Sequence, residues 1–164
     1  MEYRIEKLDA FRIVGMVVHT TVENEDGMYA IPAMWNDIFK KGKNHEIFDL
    51  MDQHPQELLG VSVYNTDIQD ARKFDYYIAT ASKKPVPEGM NEYIVPAATW
   101  AAFPCKLEDI HKVETDIVTN WHGNSGYNIL NAGYETGYMN SKAPDLEVYL
   151  EDGTVEVWVA VEKR

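Results

Sequence analysis

The chain reads twice. A strand, a helix and two further strands run from Phe11 to Ser82, and the same order returns from Tyr93 to Glu162. The strand pairs carry the match. Val61-Ser62-Val63-Tyr64 is answered by Leu146-Glu147-Val148-Tyr149, and Phe74-Asp75-Tyr76-Tyr77-Ile78-Ala79 by Val155-Glu156-Val157-Trp158-Val159-Ala160. A duplicated unit of this kind builds a groove along its pseudo-symmetry axis. One difference breaks the symmetry: Glu147 stands where the first unit has Ser62.

At 164 residues with 45% hydrophobic side chains, the chain is long enough for one sizeable core and too short for two tethered domains. Residues 1–164 are therefore expected to form a single domain, with repeat 1 at about 1–84 and repeat 2 at about 90–164. The 15 Lys and Arg stand against 27 Asp and Glu, a net charge of -12, which disfavours direct nucleic-acid binding and favours cationic partners, small or protein. Solubility alone also accounts for an acidic surface. Cys105 is the sole cysteine, so no internal disulfide or Cys-rich metal site is expected, and a reducing, cytoplasmic setting fits. The charged start Met1-Glu2-Tyr3-Arg4 and the lack of a long apolar run imply neither export nor a membrane anchor.

Phe11 to Val18 is rich in β-branched residues and reads as the first strand. Ile31, Met34, Trp35, Ile38 and Phe39 then share one helical face, with Pro32 in the first turn and Gly42 at the end. A short second helix around Ile47, Leu50 and Met51 precedes the strands Leu58–Tyr64 and Phe74–Ala81. Lys83 to Gly89, with two prolines, reads as the linker between units. The second unit opens with Asn91–Phe103 as one segment, followed by a helix carrying Leu107, Ile110, Val113, Ile117 and Trp121. Asn128 to Lys142 reads as an irregular loop tethered by Tyr134 and Tyr138, of the kind that covers a site. The strands Leu146–Leu150 and Thr154–Val161 close the chain around the turn Glu151-Asp152-Gly153.

Successive strand side chains point to opposite faces, so Glu147 and Tyr149 face away from Leu146, Val148 and Leu150. Alternation alone favours a solvated Glu147. Were that face an aromatic cavity, the carboxylate would demand a cation or hydrogen-bond donors. Aromatic residues make up 12% of the chain; most such side chains pack cores, but Tyr64 and Tyr149 occupy equivalent positions in the two units and are the better pocket candidates. The five histidines, His19, His45, His54, His111 and His122, show no metal-binding spacing, so neither a metal nor a cofactor is expected. No GxSxG elbow or phosphate-cradling glycine loop is present, and a lone Cys105 is more often inert than nucleophilic.

Pro144-Asp145-Leu146-Glu147-Val148-Tyr149-Leu150, with Val155 to Val161, closely resembles the GyrI-like small-molecule-binding family, which includes AraC-type effector-binding domains. The resemblance extends to Phe11-Arg12-Ile13-Val14-Gly15, Pro32-Ala33-Met34-Trp35, Gly60–Tyr64 and Asp75–Ala79. It implies an α+β fold of duplicated βαββ repeats, with helices on one side of a curved antiparallel sheet and a ligand groove at the pseudo-twofold axis. It also implies that Glu147 lies at the base of an aromatic pocket for lipophilic, often cationic, drug-like ligands, with Trp35, Tyr64, Trp100 and Tyr149 as walls. Relatives often follow a DNA-binding helix-turn-helix module in transcription regulators. This chain begins almost at its first repeat, so a stand-alone role in drug binding or sequestration is the expectation.

Two alternatives come from the same resemblance. Some stand-alone relatives hydrolyse cyclopropane-containing genotoxins, which here would make Glu147 the general base and Tyr149 or Tyr64 the donor to the leaving oxygen. Others resemble gyrase inhibitors, which would make the acidic surface a docking face for a basic protein.

Overall fold

Pairing between the two units, rather than within either one, sets the architecture. The structure, a computed structural model, describes residues 1–131 and 141–164. Among them nine strands form one sheet: β1 Arg4–Leu8, β2 Phe11–Thr21, β3 Leu58–Val63, β4 Lys73–Ala81, β5 Asn91–Val95, β6 Ala98–Cys105, β7 Tyr127–Ile129, β8 Asp145–Tyr149 and β9 Val155–Lys163. Their order is β1-β6-β9-β8-β3-β4-β2-β5, with β7 also on β9, and all pairings are antiparallel. The fold is α+β.

The units meet at β3 and β8, where Val61 lies opposite Leu146, Gly60 opposite Glu147 and Ser62 opposite Asp145. Ser62 pairs with Tyr76 as Glu147 pairs with Val157, and Val61 pairs with Tyr77 as Leu146 pairs with Trp158. The ladder register thus reproduces the residue correspondence read from the two repeats. The strand that opens each unit crosses to the other one, β1 lying along β6 and β5 along β2.

β1 was not expected, and β5 was not expected as a strand separate from β6. In β1 only Ile5 and Leu8 are apolar among charged neighbours, a composition suited to a sheet edge and weak as a strand signal. Asn91–Phe103 divides at Pro96, which has no N–H to donate, into β5 and β6. Part of the expected Asn128–Lys142 loop is β7, and Tyr134 and Tyr138 lie outside the described residues. The ends of that segment are joined by buried Asn131, which donates to the Ala143 carbonyl at 2.6 Å and accepts from the Ser141 amide at 3.2 Å.

Helices cover one face. α1 Asp26–Lys40 and α2 Lys43–Phe48 set Ile38 and Ile47 against Phe74, Tyr76 and Ile78. α3 Ile110–Asp116 runs into a π-helical turn, Ile117–Trp121, which places Ile117 and Trp121 on Ala101, Phe103, Val157 and Val159. α1 starts earlier than expected, so Pro32 lies inside it rather than in its first turn. Gly42 ends it with a left-handed φ of 72°. The opposite face carries Leu59, Val61, Ala79, Trp100, Leu146 and Trp158 in a core to which no described helix contributes. Burial without a helical cover requires the sheet to curve over its own side chains. No described helix is long and apolar enough to cross a membrane.

One charge is embedded near this second core. Glu156, 7% exposed, accepts from Arg4 Nη1 at 2.5 Å and Nη2 at 2.9 Å and from Trp158 Nε1 at 3.1 Å. The Arg4 hydrogen bonds, more than any other influence, hold its carboxyl below the ordinary range. A depressed carboxyl stabilises the fold above its unfolded pKa, and that contribution drains away as pH falls through the folded value. Arg4→Ala should cost about 2 kcal/mol, less than a fully buried pair would, because the Arg4 side chain is 46% exposed. Urea melts from pH 7 down to pH 3 should also show a flatter acid limb in the variant; an unchanged limb would remove Glu156 as its source.

Candidate functional site

The duplication leaves a helix from each unit standing on either side of the β3–β8 seam. Between them and the sheet lies a cleft of about 550 Å³. Met28, Ile31 and Pro32 of α1 form one wall, and Leu107 and Ile110 the other. Its floor is Ser62, Tyr64, Phe74, Tyr76 and Glu147, residues that alternation aims at the helical face. Leu107, expected on the buried helical stripe, is 57% exposed and forms part of the rim instead.

Glu147 is the polar centre of that floor. Tyr76 and Tyr149 both donate their hydroxyl protons to Glu147 Oε1, each at 2.8 Å. Trp35 Nε1 donates to the Tyr76 oxygen at 3.0 Å, and its ring meets Tyr149 edge-on at 4.8 Å. Gly60, opposite Glu147 on β3, makes this convergence possible. A Cβ there would fall on the Tyr76 hydroxyl and lie 2.7 Å from Glu147 Oε1.

Burial raises the Glu147 carboxyl above its usual range, while the Tyr149 and Tyr76 hydrogen bonds draw it back. Tyr76 and Tyr149 are raised as well, first by burial and then by the Glu147 charge, so both stay protonated donors. No Lys or Arg lines the cleft among the described residues, whereas Glu25, Glu108, Glu114 and Glu147 do. Glu114, on α3, is pushed up to about 8 by burial and by the charges of Glu147 and Asp145.

The residues expected from the sequence divide accordingly. Glu147, Tyr64 and Tyr149 come together, with Tyr64 on the floor, its ring tilted against Phe74 at 5.6 Å. Trp35 acts on the site through Tyr76 and Tyr149. Trp100 does not join them: it is 0% exposed and packs near Trp158 in the core of the opposite face, as does its β9 partner Ala160. Tyr76, Gly60 and Glu114 were missed. Tyr76 was findable as the hairpin partner of Ser62, and Glu114 as a carboxylate four residues after Ile110 and three before Ile117, within an apolar helical stripe.

Burial raises the Cys105 thiol, so it is no ready nucleophile. Among the described residues no cluster of three or more His, Cys, Asp or Glu side chains could hold a metal ion.

A family model described as the GyrI-like small molecule binding domain matches residues 1–162. The chain belongs to this family. Among solved structures, the GyrI-like domain is similar to a Staphylococcus aureus protein ascribed to bacterial transcription regulation, at a TM-score of 0.78 and 15% identity over 99% of both chains. SAV2435, solved bound to tetraphenylphosphonium, superposes at a TM-score of 0.79 and 14% identity, over 99% of this chain and 94% of its own. An integron cassette protein from the mobile metagenome of Vibrio cholerae follows at 0.59 and 19%, over 98% and 95%. Such identities show a shared fold. No curated protein matches the sequence significantly.

Two variants test the geometry. Gly60→Ala should part Tyr76 from Glu147 and destabilise the fold by about 1–3 kcal/mol, seen by chemical denaturation and as loss of the short contacts in a crystal structure. A neutral result would show that the seam has slack there. Glu114 has a raised carboxyl, so the folded state holds a proton that the unfolded chain has released, and stability falls as pH rises from the unfolded value near 4.5 to about 8. Glu114→Gln should therefore raise the melting temperature most in alkaline buffer; an equal gain at acid pH would contradict that sign.

Proposed function

We propose that this GyrI-like domain, taken as one binding unit of two repeats, holds an aromatic lipophilic cation in the cleft between α1 and α3, with Glu147 as its counter-charge. The observation that carries the reading is the lining itself: glutamates and, among the described residues, no Lys or Arg, with Glu147 raised by burial among aromatic and aliphatic walls. Such a carboxylate gains most from a cation that also fills apolar surface. The tetraphenylphosphonium bound to SAV2435, a protein of similar fold, supports the same ligand class. Tyr64 and Phe74 would meet the ligand directly, while Trp35, Tyr76 and Tyr149 would position the carboxylate.

Binding without turnover fits the hydrogen bonds better than hydrolysis does. The single phenolic proton of Tyr149 is already given to Glu147, so donating it to a leaving oxygen would require breaking that bond. A gyrase-inhibitor-like docking role would draw on the net charge of -12 and not on the cleft.

Calorimetric titration with tetraphenylphosphonium, and with neutral triphenylphosphine oxide, tests the reading. Saturable binding of the cation, weak binding of the neutral analogue and a loss of about tenfold or more in Glu147→Gln are expected. A folded protein that ignores the cation, or a Glu147→Gln variant that binds it unchanged, would refute the proposal.

A further inference from the structure

A single cation held at Glu147 leaves Glu114 unexplained. Its carboxyl makes no hydrogen bond or ion pair among the described residues. It lines both the open cleft and a recess of about 50 Å³ beneath it, and Glu147 lines both as well. The two carboxyls come from opposite sides, Glu147 from the sheet and Glu114 from α3 above it. From the sheet, Asp145 also lines the recess, beside Tyr64; from α1's end of the cleft comes Glu25, from the turn before α3 Glu108, and from the first turn of α3 His111. The space is too large and too apolar for a bare metal ion, so the occupant it suits is organic.

We propose that Glu114 is a second counter-charge, and that the cleft prefers aromatic dications, one positive group at Glu147 and the other at Glu114, over monocations of the same shape. This rests on the cation-binding reading of the cleft. Without a ligand, burial, reinforced by repulsion from Glu147 and Asp145, keeps a proton on Glu114 at neutral pH. A monocation at Glu147 offsets part of the repulsion but not the burial, so that proton stays in place. A second fixed positive charge favours the ionised form, so dication binding expels the proton to solvent, and dication affinity rises with pH until Glu114 is ionised beforehand. The monocation gains little from Glu114 below that point, which makes the residue a determinant of charge number rather than of ligand shape.

Methyl viologen and N-methyl-phenylpyridinium are closely matched in shape, differ by one charge and do not titrate. Calorimetry should show methyl viologen binding at least about tenfold more tightly to the wild type at about pH 8.5. At pH 7 the dication should release about one proton, read from buffers of different ionisation heat. Glu114→Gln should abolish both the preference and the proton release, while changing monocation affinity at pH 7 by less than about twofold. Glu114→Asp should retain the preference, and His111→Gln should leave it unchanged. Equal affinities in the wild type, no proton release at pH 7, or a preference that survives Glu114→Gln would overturn the inference while leaving the monocation reading standing. Binding of neither probe would overturn both.

Discussion

At the seam between the two halves of the sheet, a glutamate is held by phenols instead of by a positive charge. Tyr76 and Tyr149 satisfy Glu147 Oε1 as hydrogen-bond donors, and Trp35 fixes Tyr76 in turn. Hydrogen bonds of this kind hold an ionised group in place without neutralising it, so the charge stays available to the cleft. All of this depends on a missing side chain. Gly60 faces Glu147 across the ladder, and any Cβ at that position would occupy the space where the hydroxyl and the carboxylate meet.

Glu156 shows the other solution to the same problem. It lies on β9, next to β8, and points to the opposite face, where Arg4 grips both of its oxygens and lowers its carboxyl. A neutralised pair of that sort ties β1 to the far side of the sheet and has nothing left to offer a ligand. Glu147 and Glu114 are raised rather than lowered, and keeping them so costs stability that an apolar residue would not. Residues that weaken a fold while lining its cleft are natural candidates for function.

The duplication explains why the cleft lies where it does. Equivalent helices flank the seam, and the opening strand of each unit crosses to the other, so each half of the sheet is edged by a strand from its partner. Membership of the GyrI-like family accounts for this framework and for small-molecule binding. Within that framework the cleft floor is asymmetric, because residues differ between the repeats: Glu147 against Ser62, and Tyr76 against Val157.

Period-two alternation and the repeat made much of this legible without coordinates. They place Glu147, Tyr64 and Tyr149 on one face, because side-chain direction along a strand follows from backbone geometry alone. Alternation cannot say what covers that face, and so by itself it favoured a solvated Glu147. Trp100 was misplaced for a related reason: an aromatic on a strand reads the same toward a cleft as toward a closed core, and only the pairing of β6 with β9 sends it to the latter. β1 was invisible because an edge strand needs few apolar residues, and the crossing of β1 and β5 is a long-range pairing that no local pattern encodes. The repeat, the strand faces and the odd glutamate follow from local pattern. That Gly60 makes room for the glutamate, that two phenols meet it there and that Glu114 shares its cleft follow only from long-range packing. Those relations join β3, β4, β8 and α3, and contacts between elements so far apart in the chain exist only once the sheet has closed around its seam.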